Sequence, residues 1–135
     1  MLKIIYITLF FYFSCQSLFA NEYFLTLRND TVNLRQGPSF EYPIKIFYKK
    51  KFLPVLIQDE FENFRKIRDH ENNTGWIHIS QLSKKKAAIT IDDDQLIFNK
   101  PSIYSKPSVI LKKGRLCKIH KCKDEWCKIS VEEYK

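Results

Sequence analysis

Four side chains able to bind a metal or form a disulfide crowd into one short stretch: Cys117, His120, Cys122 and Cys127. Cys122 and Cys127 bracket the turn residues Lys123, Asp124 and Glu125, so a hairpin through this segment sets their sulfurs opposite each other. Cross-strand Cβ separations of ~4.5–5.5 Å relax readily to disulfide geometry. The competing reading is a Cys3His zinc site using all four. Strand parity opposes it, because Cys117 and Cys122 on one extended strand point to opposite faces. The Cys-x2-Cys knuckle of structural zinc sites is also missing. The expectation is a Cys122–Cys127 disulfide, with Cys117 a small buried apolar residue and with neither metal nor cofactor.

The other reactive side chains are scattered. His70 falls in the loop-like run Asp69 to Thr74, far in sequence from His78 and His120. Asp92, Asp93 and Asp94 are consecutive, so on an extended chain they diverge and read as a solvated turn. No helix follows any of the later cysteines, as a cysteine nucleophile of the cell-wall hydrolase type requires. No Gly-rich phosphate loop occurs either. The expectation is a protein without catalytic function. The basic runs Lys49-Lys50-Lys51 and Lys84-Lys85-Lys86 lack the interleaved aromatics of a nucleic-acid site. They read as solvated surface, with Lys50 guarding a strand edge.

The elements that must hold these residues read almost wholly as short strands: Tyr23–Leu27, Val32–Leu34, Phe52–Gln58, Phe64–Arg68, Gly75–His78, Ala88–Ile91, Leu96–Phe98, Arg115–His120 and Trp126–Val131. They are rich in Ile, Val, Phe, Tyr and Trp and are bounded by Asn, Asp, Gly, Pro and Lys. No segment carries a convincing 3.6-residue period. An internal repeat organises them. Leu34 and Ile97 stand 63 apart, as do Pro38 and Pro101, while Phe64 and Trp126 stand 62 apart. In that register Gly75-Trp76 of the first copy recurs near position 138, past Lys135, so the second copy is expected to lack its last strand and to offer an open edge.

The N-terminus has the anatomy of a secretory signal peptide: Lys3, an apolar run from Ile4 to Phe13, then small or polar residues closing at Ala20. The run is short for a permanent span of a ~30 Å hydrocarbon core. Acylation at Cys15 and an uncleaved anchor are the alternatives, and all three export the rest of the chain. The expected layout is a signal peptide over 1–20, a first unit over 21–83 and a truncated second unit over 84–135. Loss of Lys3 with the signal leaves 22 basic against 15 acidic residues, a net charge of +7 that favours acidic partners.

The run Val32-Asn33-Leu34-Arg35-Gln36-Gly37-Pro38-Ser39, the aromatic Phe64, and Gly75-Trp76-Ile77-His78 with Leu82 resemble the bacterial SH3 (SH3b) repeat over roughly residues 25 to 83. In the second copy Ile97-Phe98-Asn99-Lys100-Pro101 replaces the signature. The resemblance extends to exported SH3-domain proteins of Gram-negative bacteria. It implies an all-β fold of two tandem SH3-like small β-barrels, the second incomplete. Gly37 before Pro38 reads as a tight turn using a positive φ. Phe64, Trp76 and Trp126 read as mainly core residues. By analogy with the family, a turn-rich rim near Arg35, Phe40, Tyr42, Tyr48 and Trp76 contacts a ligand, either peptide or peptidoglycan stem peptide. The expected compartment is the periplasm or the exterior. The expected partners are peptidoglycan or an envelope protein, with no nucleic acid and no membrane contact beyond the signal segment. The alternative is a structural or scaffolding domain using the open edge of the second repeat.

Overall fold

A computed structural model describes residues 21–131, so the proposed signal segment, with its cleavage point and Cys15, lies outside the described residues. Seven strands form one antiparallel sheet: β1 (Tyr23–Leu27), β2 (Val32–Arg35), β3 (Ile44–Tyr48), β4 (Pro54–Phe61), β5 (Phe64–Arg68), β6 (Thr74–His78) and β7 (Leu82–Ser83). Their order is β3-β2-β6-β5-β4-β1-β7, with a single 3-10 turn, Ile79–Gln81, before β7. β3 and β7, at the two edges, do not pair with each other. The sheet nonetheless curls on itself, because one buried cluster draws Leu27, Leu34, Tyr48, Val55, Ile57, Ile67, Ile77 and Leu82 from all seven strands.

Sequence patterning located most of these strands but missed β3 and β7. It also began β4 two residues early. Phe52 has a φ of 65° and belongs to the turn before it, and Pro54 opens the strand, where its missing N–H costs no ladder bond. β4 and β5 meet in a tight hairpin in which Phe61 faces Phe64 and Glu62 takes a φ of 46°.

The remaining strands are β8 (Ala87–Ile89), β9 (Gln95–Phe98), β10 (Pro107–Leu111, also missed), β11 (Leu116–Lys123) and β12 (Trp126–Val131). They form two small sheets, β10-β9 and β12-β11-β8. Their pairing repeats that of the first five strands: β8 pairs β11 as β1 pairs β4, β9 pairs β10 as β2 pairs β3, and β12 pairs β11 as β5 pairs β4. Even the irregularities recur. The register shift between Ile57 and Asp59 returns between Ile119 and Lys121, and the positive φ of Glu62 returns at Asp124.

Among the described residues no counterpart of β6 exists in this second unit. In the first unit β6 is the strand that joins β2 to β5. Without it the equivalent strands β9 and β12 remain in separate sheets, and strand pairing closes a barrel in neither unit. Burial follows the same division: the buried apolar residues of the second unit are Leu111, Leu116 and Cys117, while Ile91, Leu96, Ile103, Tyr104, Val109 and Ile110 are exposed. The units are tied by hydrogen bonds from Thr26 Oγ1 to the Lys85 carbonyl (2.8 Å) and from Lys50 Nζ to the Gly114 carbonyl (3.0 Å). Ile89 also packs on the first unit's core.

Candidate functional site

The ladder around β6 decides which side chains share a face. Paired residues in a sheet project to the same side. Arg35 pairs with Trp76, Trp76 with Lys66, and in the next row Phe64 with His78. Ile67 and Ile77, on the opposite side, enter the core at 0% exposure. Arg35, Lys66, Trp76, Phe64 and His78 therefore form the outer face of the sheet.

The loop from Gln36 to Pro43 folds down onto this face and is closed by a hydrogen bond from Gln36 N to the Pro43 carbonyl (3.0 Å). Arg35 holds it in place: Nη1 donates to the carbonyls of Phe40 (3.0 Å) and Tyr42 (2.9 Å), and the guanidinium carbon lies 5.4 Å from the centre of the Phe40 ring. The remaining guanidinium donors have no protein acceptor among the described residues. Phe40 completes an aromatic triad, 5.2 Å from Phe64 and 5.0 Å from His78, with Phe64 and His78 5.1 Å apart. Edge-on and tilted contacts at these distances suit the ring quadrupoles.

Gly37 is required here for a reason other than the expected one. Its φ is not positive; instead a Cβ at this position would lie 2.6 Å from atoms of the Tyr42 ring, which rests on the glycine. Tyr42 and Phe40 are both exposed, Phe40 at 63%.

Of the five rim residues read from the sequence, the structure brings together Arg35, Phe40, Tyr42 and Trp76. Tyr48 is not among them. It pairs with Val32, whose side of β2 faces the core, and at 9% exposure its hydroxyl donates to Asp69 Oδ2 (2.7 Å) inside the fold. Burial alone raises the Asp69 carboxyl. Hydrogen bonds from the Asn73 amide side chain, the Tyr48 hydroxyl and the backbone N–H groups of Asn73 and Glu71 outweigh that and hold it below its ordinary value. Burial first, then the bond to Asp69, pushes the Tyr48 phenol far up.

Sequence patterning placed Phe64 in the core. It is buried, but on the outer face beneath Phe40 and His78. Trp76 and Trp126 are only half-buried, and Trp126 meets Phe98 at 5.8 Å. Lys66 and His78 were not read as residues of this face, although the β5–β6 register, once known, places both.

The face offers exposed ring surface beside two cations, an arrangement able to take an apolar group next to a carboxylate. A separate groove of about 720 Å³ runs between the units, lined by Phe24, Pro54, Lys84 to Lys86 and Ile119, and does not include the aromatic triad.

The disulfide between Cys122 and Cys127 is present, joining residues directly opposite on β11 and β12. It takes two of the four side chains of the zinc alternative. Cys117 is free and buried, and burial pushes its thiol up. The Asp92–Asp94 run is an exposed turn in which Asp94 pairs with Lys112 at 2.6 Å and Asp93 accepts from Lys113 N.

Comparison with curated proteins finds no match for this chain. Comparison with protein families matches residues 28–84, which run from the end of β1 through β7 and contain every residue of the outer face. Over that stretch the chain matches the bacterial SH3 domain family.

Proposed function

We propose that this chain is a non-catalytic binding module of the bacterial envelope, exported to the periplasm or beyond, in which a second SH3-like unit follows the first. Its ligand is a peptide, foremost a peptidoglycan stem peptide, taken on the face of Arg35, Phe40, Tyr42 and Trp76. The observation that carries this reading is the Arg35-braced loop: an exposed Phe40 held against Phe64 and His78, and an exposed Tyr42, beside a partly uncommitted guanidinium. Such rigid aromatic anchors dominate binding surfaces. Stem-peptide carboxylates match both the guanidinium and the chain's net charge of +8. Export is supported by the residues 1–20 pattern and by the disulfide, which persists in oxidising compartments.

Pulldown of residues 21–135 with purified peptidoglycan across a salt series tests the reading. Retention at low salt that weakens as salt rises is expected. Phe40→Ala should reduce retention about tenfold, the loss of a moderate aromatic hot spot, while circular dichroism shows the sheet intact. No retention of the unmodified protein at low salt, or equal retention of Phe40→Ala, rejects it.

A further inference from the structure

Strand pairing sorts the side chains of the outer face into two rows. In one, Arg35 faces Trp76, Trp76 faces Lys66 and Lys66 faces Asp59, so the row crosses β2, β6, β5 and β4. In the next, His78 faces Phe64 and Phe64 faces Phe61, with Phe40 against the first two. The second row is aromatic throughout. The first sets an indole between two cations.

Neither cation is fully engaged by the protein. The loop carbonyls occupy only Nη1 of Arg35, and Lys66 Nζ has no acceptor among the described residues. The neighbouring acids are engaged elsewhere. Asp59 Oδ1 accepts from Glu60 N (2.8 Å), while Glu60 Oε1 accepts from the Tyr23 hydroxyl (2.6 Å) and pairs with Arg65 Nε (3.3 Å). Arg35 and Lys66 are both half-buried, where salt screens a charge less than on an open surface.

We infer, resting on the reading that this face takes a stem peptide, that it selects a peptide with two free carboxylates. Arg35 holds one and Lys66 the other, on either side of Trp76, and Lys66 is the residue that tests for the second. Arg35 and Lys66 stand two strand spacings apart, roughly 10 Å at the backbone. An extended peptide advances ~3.3–3.6 Å per residue, so carboxylates up to three residues apart bridge the pair, and the two long side chains close shorter spans. The guanidinium takes a carboxylate as a planar fork and the ammonium takes one as a point charge. The apolar groups between the carboxylates then fall on the indole. Amidation of either carboxylate removes the charge and turns an NH2 donor toward a side chain that can only donate, so the site discriminates the amidation state of its ligand.

The test is a calorimetric titration of the chain from residue 21 onward, at low salt, with N-acetylated alanyl-γ-D-glutamyl-lysine, a stem peptide with two carboxylates, and with its two singly amidated forms. The unmodified protein binds the free peptide about tenfold more tightly than either amide, the lower end of what a hydrogen bond to a charged group contributes. Lys66→Met, with its sheet intact by circular dichroism, binds the free peptide about tenfold more weakly and no longer distinguishes it from one of the two amides. Phe40→Ala weakens all three peptides alike, because the ring does not touch the charge. Equal affinity of the unmodified protein for the free and amidated peptides overturns the inference and leaves the stem-peptide reading standing. Discrimination at both carboxylates that survives Lys66→Met overturns the role of Lys66. Binding of none of the three peptides overturns the inference together with the reading beneath it.

Discussion

Tyr48 and Asp69 show how one buried hydrogen-bond system fixes a loop. The Asp69 carboxylate accepts from Tyr48, from the Asn73 side chain and from two backbone N–H groups, so it orders the turn that leads into β6. Tyr48→Phe removes one donor to a charged acceptor and should cost about 1.5–3 kcal/mol, measured by urea unfolding. The pH dependence follows from the direction of the Asp69 shift. Its folded carboxyl lies below its ordinary value, so its stabilisation is full above the unfolded pKa of about 3.9 and is lost as pH falls through the folded value. Tyr48→Phe weakens the shift, and the variant's urea midpoint should therefore fall less between neutral and acid pH than that of the unmodified protein. An equal fall in both assigns the acid sensitivity to other groups.

At the scale of the element, the two hairpins β4–β5 and β11–β12 share register, bulge and turn conformation, but only the second is cross-linked. The bridge spans a sequence separation of 5, and loop-closure entropy limits its contribution to about 2 kcal/mol or less. Replacing both Cys122 and Cys127 by Ser should therefore lower stability by no more than that. Mass mapping of the non-reduced, alkylated protein should find this bridge, with Cys117 modified only after unfolding. The hairpins were legible in the sequence because their apolar runs and turn residues are local: the bounds of Phe64–Arg68 and Trp126–Val131 agree with the structure. β7 was not, because two residues carry no pattern and Leu82–Ser83 is a strand only through its pairing with β1. β10 was hidden by an opening proline and the polar Ser108. Of the candidate site, the shared placement of Arg35, Phe40, Tyr42 and Trp76 was readable from a signature and its aromatic neighbours. Lys66 and His78 come to the face through the β5–β6 register, and Tyr48 leaves it through the β2–β3 register, neither of which a linear reading supplies.

Across the whole molecule, apolar burial is unequal. The first unit buries a continuous core, whereas the second exposes Ile91, Leu96, Ile103, Tyr104, Val109 and Ile110. Stability varies across a structure with local burial, so the second unit should unfold first. The protein has two tryptophans, one in each unit, and single-tryptophan variants can follow them separately. The urea midpoint reported by Trp126 in a Trp76→Phe background should be lower than that reported by Trp76 in a Trp126→Phe background; coincident midpoints mean that the units unfold as one. The pairing of β1 with β7 reaches beyond stability. Leu27 faces Leu82 and Thr26 faces Ser83 in antiparallel register, and Thr26 Oγ1 also holds the Lys85 carbonyl. The chain thus leaves the first unit antiparallel to the strand by which it entered, with Ser83 opposite Thr26 about one strand spacing of ~4.8 Å away. A unit whose two ends meet can be spliced into a surface loop of an unrelated host, or opened at Glu62-Asn63 and rejoined through a short linker across its old termini, without stretching its sheet.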